Sequence, residues 1–219
     1  MKIFIDTANR DLIRQWAQTG IIDGVTTNPS TLSKEGQNSK EVLLEICSLV
    51  AGDVSIEVVE KEPEAVYKQA REIAQLAPNV VVKIPFAKEY LPVIARLANE
   101  GIKLNITLIF SAIQVLLVAK LGVTYISPFV GRLDDIGGDG IGLVRDAMHI
   151  VQEYDFDSKI LAASIRSVRH WHDSIAVGAD VITLPPAVLA DAMHHPLTES
   201  GIAKFDKDWL ALGKKNLLT

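Results

Sequence analysis

The sequence lacks the raw material for several common chemistries. Its 219 residues include a single cysteine, Cys47, so no intrachain disulfide can form, which suits a reducing, cytoplasmic setting. Cys47 ends the run Val42-Leu43-Leu44-Glu45-Ile46-Cys47, the apolar face of a helix, and a buried thiol there is a poor nucleophile. Charge of neither sign dominates, since 22 Lys and Arg against 27 Asp and Glu leave a formal net charge of -5. That mildly acidic balance speaks against nucleic-acid and anionic-membrane partners, although local arginines can still hold a small anion. The most apolar stretch, residues 104–119, is interrupted by Asn105, Thr107, Ser111 and Gln114 and falls short of a membrane span. No signal-peptide pattern is visible, because Met1-Lys2-Ile3-Phe4-Ile5 runs straight into Asp6.

Metal and nucleotide signatures are also missing. His149, His170, His172, His194 and His195 fall in predicted helices without metal-ligand spacing, and His194-His195 reads as the cationic end of a helix. The glycine-rich segment 137–142 lacks the dinucleotide pattern and reads as a mobile loop rather than a phosphate cradle. Trp16, Trp171 and Trp209 lie on helix faces as packing residues. Neither a metal site nor a dinucleotide site is expected.

What is present is alternation. Apolar, β-branched segments at 3–5, 24–27, 54–59, 80–85, 102–110, 124–130, 159–163 and 181–184 read as strands. Helical spacing fills the intervals, to about 18 and over 39–50, 63–76, 88–99, 111–121, a stretch ending near 154, and 167–177; two more helices follow at about 187–194 and 199–213. Gly20, Gly101, Gly122 and Gly178 each stand where a helix stops before a strand, the left-handed position that ends helices. Eight βα units without a linker or composition break predict a single-domain (β/α)₈ barrel over residues 1–219. An open doubly wound sheet fits less well, because no fingerprint loop follows strand one.

The fourth strand, Val80-Val81-Val82-Lys83-Ile84-Pro85, sets one lysine into an apolar run. An amine held out of water favours its neutral, nucleophilic form; the plainer alternatives are a snorkelling side chain or an ion pair. In such barrels the chemistry sits at the C-terminal strand ends. Those ends carry Asp6, then Thr27 and Asn28, Glu57, Lys83, Asn105 and Thr107, Ser127 with Arg132 beyond it, Ser164 and Arg166, and Thr183. Singly, each has an ordinary explanation. Asp6 suits a helix N-cap, Asn28 a turn before Pro29, and Glu57 a structural pair with Lys83. Together they place two carboxylates, a lysine, two carboxamides and two arginines around one mouth. A purely structural core would not gather that much desolvation cost in one place.

Seven segments in order carry a resemblance: Phe-Ile-Asp-Thr-Ala-Asn at 4–9, Gly-Val-Thr-Thr-Asn-Pro at 24–29, Val-Lys-Ile-Pro at 82–85, Asn-Ile-Thr-Leu-Ile-Phe at 105–110, Ser-Pro-Phe-Val-Gly-Arg at 127–132, Ala-Ala-Ser-Ile-Arg at 162–166 and His-Pro-Leu-Thr at 195–198. They resemble the transaldolase family, in its small bacterial and archaeal branch, which also contains fructose-6-phosphate aldolases. The aldolases typically carry Gln on strand three and Tyr in the strand-six motif; Glu57 and Phe129 here are similar to transaldolases proper.

The resemblance implies Lys83 as the Schiff-base nucleophile, Asp6 as general base, and Glu57 with Thr107 around a proton-shuttling water. It implies Asn28, Asn105 and Ser127 as ligands of a dihydroxyacetone unit, with Thr27 and Phe129 completing the substrate contacts. Arg132, Arg166 and Ser164 would hold a phosphate. The implied reaction moves that unit between sugar phosphates, without a cofactor, in the non-oxidative pentose phosphate pathway. A non-catalytic barrel would lack the nucleophile or the base, and this chain has both. The tail, 198–218, puts Ile202, Phe205, Trp209 and Leu212 on one helical stripe suited to its own barrel or to a neighbour. The resemblance implies homo-oligomeric rings, commonly decamers of two pentamers, in which the last helix reaches a partner.

Overall fold

The computed structural model describes every residue except 37, 214, 215 and 217–219. The strands are β1 (Lys2–Asp6), β2 (Gly24–Thr26), β3 (Val54–Glu57), β4 (Val80–Pro85), β5 (Leu104–Ile109), β6 (Tyr125–Pro128), β7 (Lys159–Ala162) and β8 (Val181–Leu184). All pair in parallel with their sequence neighbours, and β8 closes on β1 with Ile3 opposite Ile182 and Phe4 opposite Thr183. This is the (β/α)₈ barrel that the alternation predicts.

Around it lie α1 (Arg10–Gln18), α2 (Pro29–Leu32), α3 (Ser39–Leu49), α4 (Pro63–Ala74), α5 (Leu91–Asn99), α6 (Ala112–Ala119), α7 (Val130–Asp134), α8 (Gly140–Glu153), α9 (Val168–Ala176), α10 (Pro186–Asp191) and α11 (Pro196–Ala211). A 3₁₀ turn, Lys88–Tyr90, leads into α5. The four glycines expected at helix ends all have positive φ, between 72° and 82°.

Side-chain parity builds two cores. Ile5, Val25, Ile56, Val82, Ile84, Ile106, Ile126, Ile160 and Ile182 face the helices and are essentially inaccessible, packed with Ile13, Ile46, Val66, Leu97 and Val144. The opposite parity fills the barrel with Phe4, Val81, Tyr125, Leu161, Ala163 and Val181. Phe4 meets Tyr125 edge to face at 5.9 Å. A Cβ on Gly24 would lie 2.5 Å from the Asp53 carbonyl and 2.7 Å from the Phe4 ring, so only glycine fits beside Phe4. Below this layer the Tyr125 hydroxyl donates to Asp53 at 2.7 Å and Asp53 pairs with Lys103 at 2.9 Å, closing the N-terminal end. Burial and that carboxylate push the Tyr125 phenol upward, which keeps it a donor.

Several sequence expectations need correction. Two short helices, α2 and α7, stand where the sequence reading has only loop and strand. Pro29 opens α2, and an Asn28–Thr31 capping box closes it off locally, too short to show periodicity. β3 stops at Glu57 and β6 at Pro128, shorter than 54–59 and 124–130. α10 ends at Asp191, so His194-His195 is not its cationic terminus. His195 instead caps α11, accepting from the Leu197 amide at 3.2 Å with Pro196 in the first helical position. Trp16 and Trp171 do pack on the core, whereas Trp209 does not. α11 buries none of its residues, and Leu197, Ile202, Phe205, Leu210 and Leu212 stand exposed. Leu218, the end of the expected tail, lies outside the described residues. Among those described, no helix is long and apolar enough to cross a membrane.

Candidate active site

A cleft of about 410 Å³ opens at the C-terminal ends of the strands. Its floor follows from β-sheet register. Glu57 on β3 sits opposite Lys83 on β4, Lys83 opposite Asn105 on β5, and Asp6 on β1 opposite Thr26 on β2. All five side chains have inward parity and line the cleft.

The Lys83 side chain, 9% exposed, donates to the Glu57 carboxylate at 3.0 Å and to the Thr27 carbonyl at 3.2 Å. The pair suggested as merely structural is therefore formed, but at the mouth of a cleft and beside a second carboxylate. An ammonium so removed from water needs that partner, and the same partner can take its proton.

Asp6 is free for chemistry because another residue caps α1. The Asn9 side chain accepts from the Leu12 amide at 3.0 Å, so the N-cap reading of Asp6 does not hold. One Asp6 oxygen accepts from Thr26 at 3.1 Å and from Asn28 at 3.3 Å. Burial raises the Asp6 carboxyl above its ordinary range; the Lys83 charge and the two hydrogen bonds pull the other way without cancelling it. A carboxylate made more basic by its surroundings suits proton abstraction.

Below these groups runs a polar chain. The Ser127 hydroxyl donates to Asn105 at 2.6 Å, and the Asn105 amide donates to Ser55 at 3.1 Å. Thr26 and Thr183 share a 2.6 Å hydrogen bond across the β2–β8 side. The Thr107 hydroxyl, also on the cleft wall, is the one buried side-chain polar atom without a protein partner among the described residues. Such a group costs about 1–3 kcal/mol unless a substrate or water satisfies it.

The backbone is bent to build this wall. The β5–β6 register shifts between Ile106 and Ile109, and Leu108 takes φ 59°; Ser164 after β7 takes φ 58°. Left-handed conformations at two non-glycine residues on one cleft mark a place where geometry overrides local preference.

Of the residues singled out from sequence, Asp6, Asn28, Glu57, Lys83, Asn105, Thr107, Ser127, Phe129, Arg132, Ser164 and Thr183 line the cleft. Arg132 extends over the Phe129 ring at 5.0 Å, and Phe129 is steadied edge-on by Phe110. Two are placed elsewhere. The Thr27 side chain donates to the Ser55 carbonyl, away from the interior, so Thr27 reaches Lys83 only through its carbonyl oxygen. Arg166 is not on the cleft wall; its guanidinium is held bidentately by Asp135. Thr26, Ser55 and Lys34 were missed. Parity could have found the first two, since Thr26 shares a face with Asn28 and Ser55 with Glu57. Nothing local signals Lys34.

The dismissed candidates stay outside the site. Cys47 is buried on the inner face of α3, and burial raises its thiol to about 11, beyond use as a nucleophile at neutral pH. The glycine-rich segment has its amides engaged, Gly140 by Asp134 and Gly142 by Asp139. No cluster of three or more potential metal ligands exists among the described residues.

Known proteins resemble this chain along nearly its whole length. Residues 3–216 match the family described as Transaldolase/Fructose-6-phosphate aldolase. A probable transaldolase of Caulobacter sp. is 49% identical over 217 residues, covering 99% of this chain and 100% of that one. One from Methanococcus maripaludis is 50% identical over 211 residues, covering 96% and 98%. Another, from Caldicellulosiruptor saccharolyticus, is 50% identical over 217 residues, covering 99% and 100%. In fold alone, the chain resembles an inosine 5′-monophosphate dehydrogenase from Legionella pneumophila, with a TM-score of 0.59 at 11% identity over 86% of this chain and 58% of that one.

Proposed function

The chain belongs to the transaldolase/fructose-6-phosphate aldolase family, and from that premise we propose that it is a transaldolase: it moves a dihydroxyacetone unit from fructose 6-phosphate, or sedoheptulose 7-phosphate, to an aldose phosphate. The observation that carries this reading is the buried Lys83–Glu57 pair at the barrel mouth, with Asp6 on the same cleft.

Glu57 accepts a proton from Lys83, and the neutral amine attacks C2 of the ketose. The carbinolamine loses water to a protonated imine, with Glu57 and Thr107 passing protons through a water held between them. Asp6 takes the proton of the C4 hydroxyl. The C3–C4 bond breaks, its electron pair flows into the imine as an enamine, and glyceraldehyde 3-phosphate leaves. The enamine carbon then attacks the aldehyde carbon of erythrose 4-phosphate, and Asp6 returns its proton to the new alkoxide. Water hydrolyses the imine, releasing sedoheptulose 7-phosphate and free Lys83.

Asn28, Asn105 and Ser127 hold the hydroxyls of the retained three carbons, and the orphan Thr107 hydroxyl gains a partner. Arg132, Ser164 and Arg166 bind the phosphate through charge-assisted hydrogen bonds. Phe129 shapes the wall beneath Arg132. The lysine supplies the electron sink, so no cofactor takes part.

The lyase alternative within the family is disfavoured by Glu57 and Phe129, which stand where the aldolases typically carry Gln and Tyr. Fructose 6-phosphate turnover measured with and without erythrose 4-phosphate separates the two. A transaldolase gives slow cleavage alone and fast turnover with the acceptor; equal rates make the chain an aldolase. Borohydride added with fructose 6-phosphate should leave a dihydroxyacetone adduct on Lys83.

The remaining partners proposed are further copies of the chain, not nucleic acid or membrane, in the cytoplasm. The exposed apolar side chains of α11 are the surface through which a pentamer or decamer would form, and light scattering tests it.

A further inference from the structure

Both arginines proposed to bind phosphate converge on α7, but in different states. Arg132, on α7 itself, faces the cleft and has no ion pair among the described residues. Arg166, from the segment after β7, is turned onto Asp135, the residue that caps the C-terminal end of α7. Nη1 and Nη2 donate to the two carboxylate oxygens of Asp135, the second at 2.6 Å. Asp135 also follows Arg132 by three residues at the end of α7.

The stem of Arg166 is anchored independently of that pair. Its Cδ and Nε lie 2.9 Å from where a Cβ on Gly131 would be, and the Gly131 amide donates to the Ser164 carbonyl at 2.9 Å. The neighbouring Asp134 is already engaged, by the Gly140 amide at 2.8 Å and by His170 at 3.2 Å. Asp135 has Arg166 as its only side-chain partner among the described residues. With side chains 50% and 48% exposed, the Arg166–Asp135 pair is screened by water and contributes little stability. A phosphate dianion offers the same bidentate geometry with more charge.

We infer that Asp135 competes with the substrate's phosphate for Arg166, and so sets how strongly the cleft prefers phosphorylated over unphosphorylated sugars. This rests on the reading of Arg166 as a phosphate ligand. In the free enzyme Asp135 neutralises one of the two cations. A sugar without phosphate leaves the pair intact, whereas a phosphate takes the fork over while the stem stays on Gly131. Asp135 acts through Arg166 and never touches the reacting carbons.

The test is the Asp135→Asn variant, assayed for the KM of fructose 6-phosphate and for inhibition by inorganic phosphate. Relief of one competing charge should lower both the KM and the inhibition constant about two- to fivefold, without a matching change in kcat. Trapping of unphosphorylated dihydroxyacetone on Lys83 by borohydride checks that the variant's cleft is intact. Unchanged constants overturn the proposal. Raised constants also overturn it, because they make Asp135 a strut that positions Arg166. Arg166→Ala, run in parallel, separates this from the underlying reading. If Arg166→Ala keeps the parent's constants, Arg166 is no phosphate ligand. If it raises them while Asp135→Asn does not lower them, only the competition fails. In the double variant, the effect of Asp135→Asn should vanish.

Discussion

The Lys83 ammonium nitrogen lies 3.0 Å from the Glu57 carboxylate, and the two residues are directly opposed in the β3–β4 register. The contact joins adjacent strands at their C-terminal ends, with Asn105 next in line on β5. Burying a charged pair is a weak way to stabilise a barrel, so its position over a cleft matters more than its energy.

If Glu57 takes the Lys83 proton and relays those of the carbinolamine, Glu57→Gln should slow imine formation by about 10²-fold or more. The amide keeps the shape and can still accept from Lys83. Rapid quenching with borohydride and fructose 6-phosphate measures this step directly. A variant that forms its adduct at the parent's rate removes Glu57 from proton transfer.

Asp6→Asn separates the two stages of the reaction. Adduct formation on Lys83 should persist, while C–C cleavage falls about 10²- to 10⁴-fold. Equal loss of both steps would refute the role of Asp6 as base. The pH profile carries the same information. Burial holds the Asp6 carboxyl above its ordinary range, so cleavage should fail on the acid side at a pH above that range, and the variant should lack this limb.

The same burial bears on stability, with a definite sign. An acid whose folded-state value is raised favours folding in its protonated form, so its contribution is fully present below the unfolded value and is lost as pH rises through the folded one. Asp6→Asn removes that loss while its side-chain oxygen can still accept from Thr26 and Asn28. Thermal unfolding should therefore show the variant more stable than the parent at neutral pH. The difference should shrink as pH falls from the raised folded value toward the ordinary carboxylate value, below which it is gone, and a parent that is the more stable at neutral pH contradicts the argument.

Arg132→Ala should raise the KM for phosphorylated sugars about 10- to 100-fold, the effect of losing a hydrogen bond to a charged group. Unphosphorylated dihydroxyacetone should be affected much less. A uniform change across both substrates would place the phosphate elsewhere.

Asn105 joins Ser127 to Ser55 inside the barrel and is wholly buried. Asn105→Ala leaves both hydroxyls short of a partner and opens a small void, so urea unfolding should show a loss of about 2–4 kcal/mol. The same variant tests binding, because a protein that keeps its KM for fructose 6-phosphate does not use Asn105 as a ligand.

The sequence by itself determined the barrel and most of the cleft. Strand alternation, helical spacing and helix-ending glycines are local patterns, and in a (β/α)₈ arrangement they specify which strand ends share a mouth. Lys83, Asp6, Glu57, Asn105 and Thr107 were legible for that reason. Tertiary structure decided which distant residues meet and which cation is free. Thr26 rather than Thr27 supports Asp6, since barrel closure brings Thr26 to Thr183, 157 residues away, and parity turns Thr27 outward. Arg166 is drawn off the cleft by Asp135, 31 residues earlier, and Lys34 reaches the cleft wall from beyond α2. α2 and α7 were invisible because four or five residues hold no period. The Thr26–Thr183 and Arg166–Asp135 contacts and the place of Lys34 depend on where a closed sheet sets distant segments side by side, which no local pattern encodes.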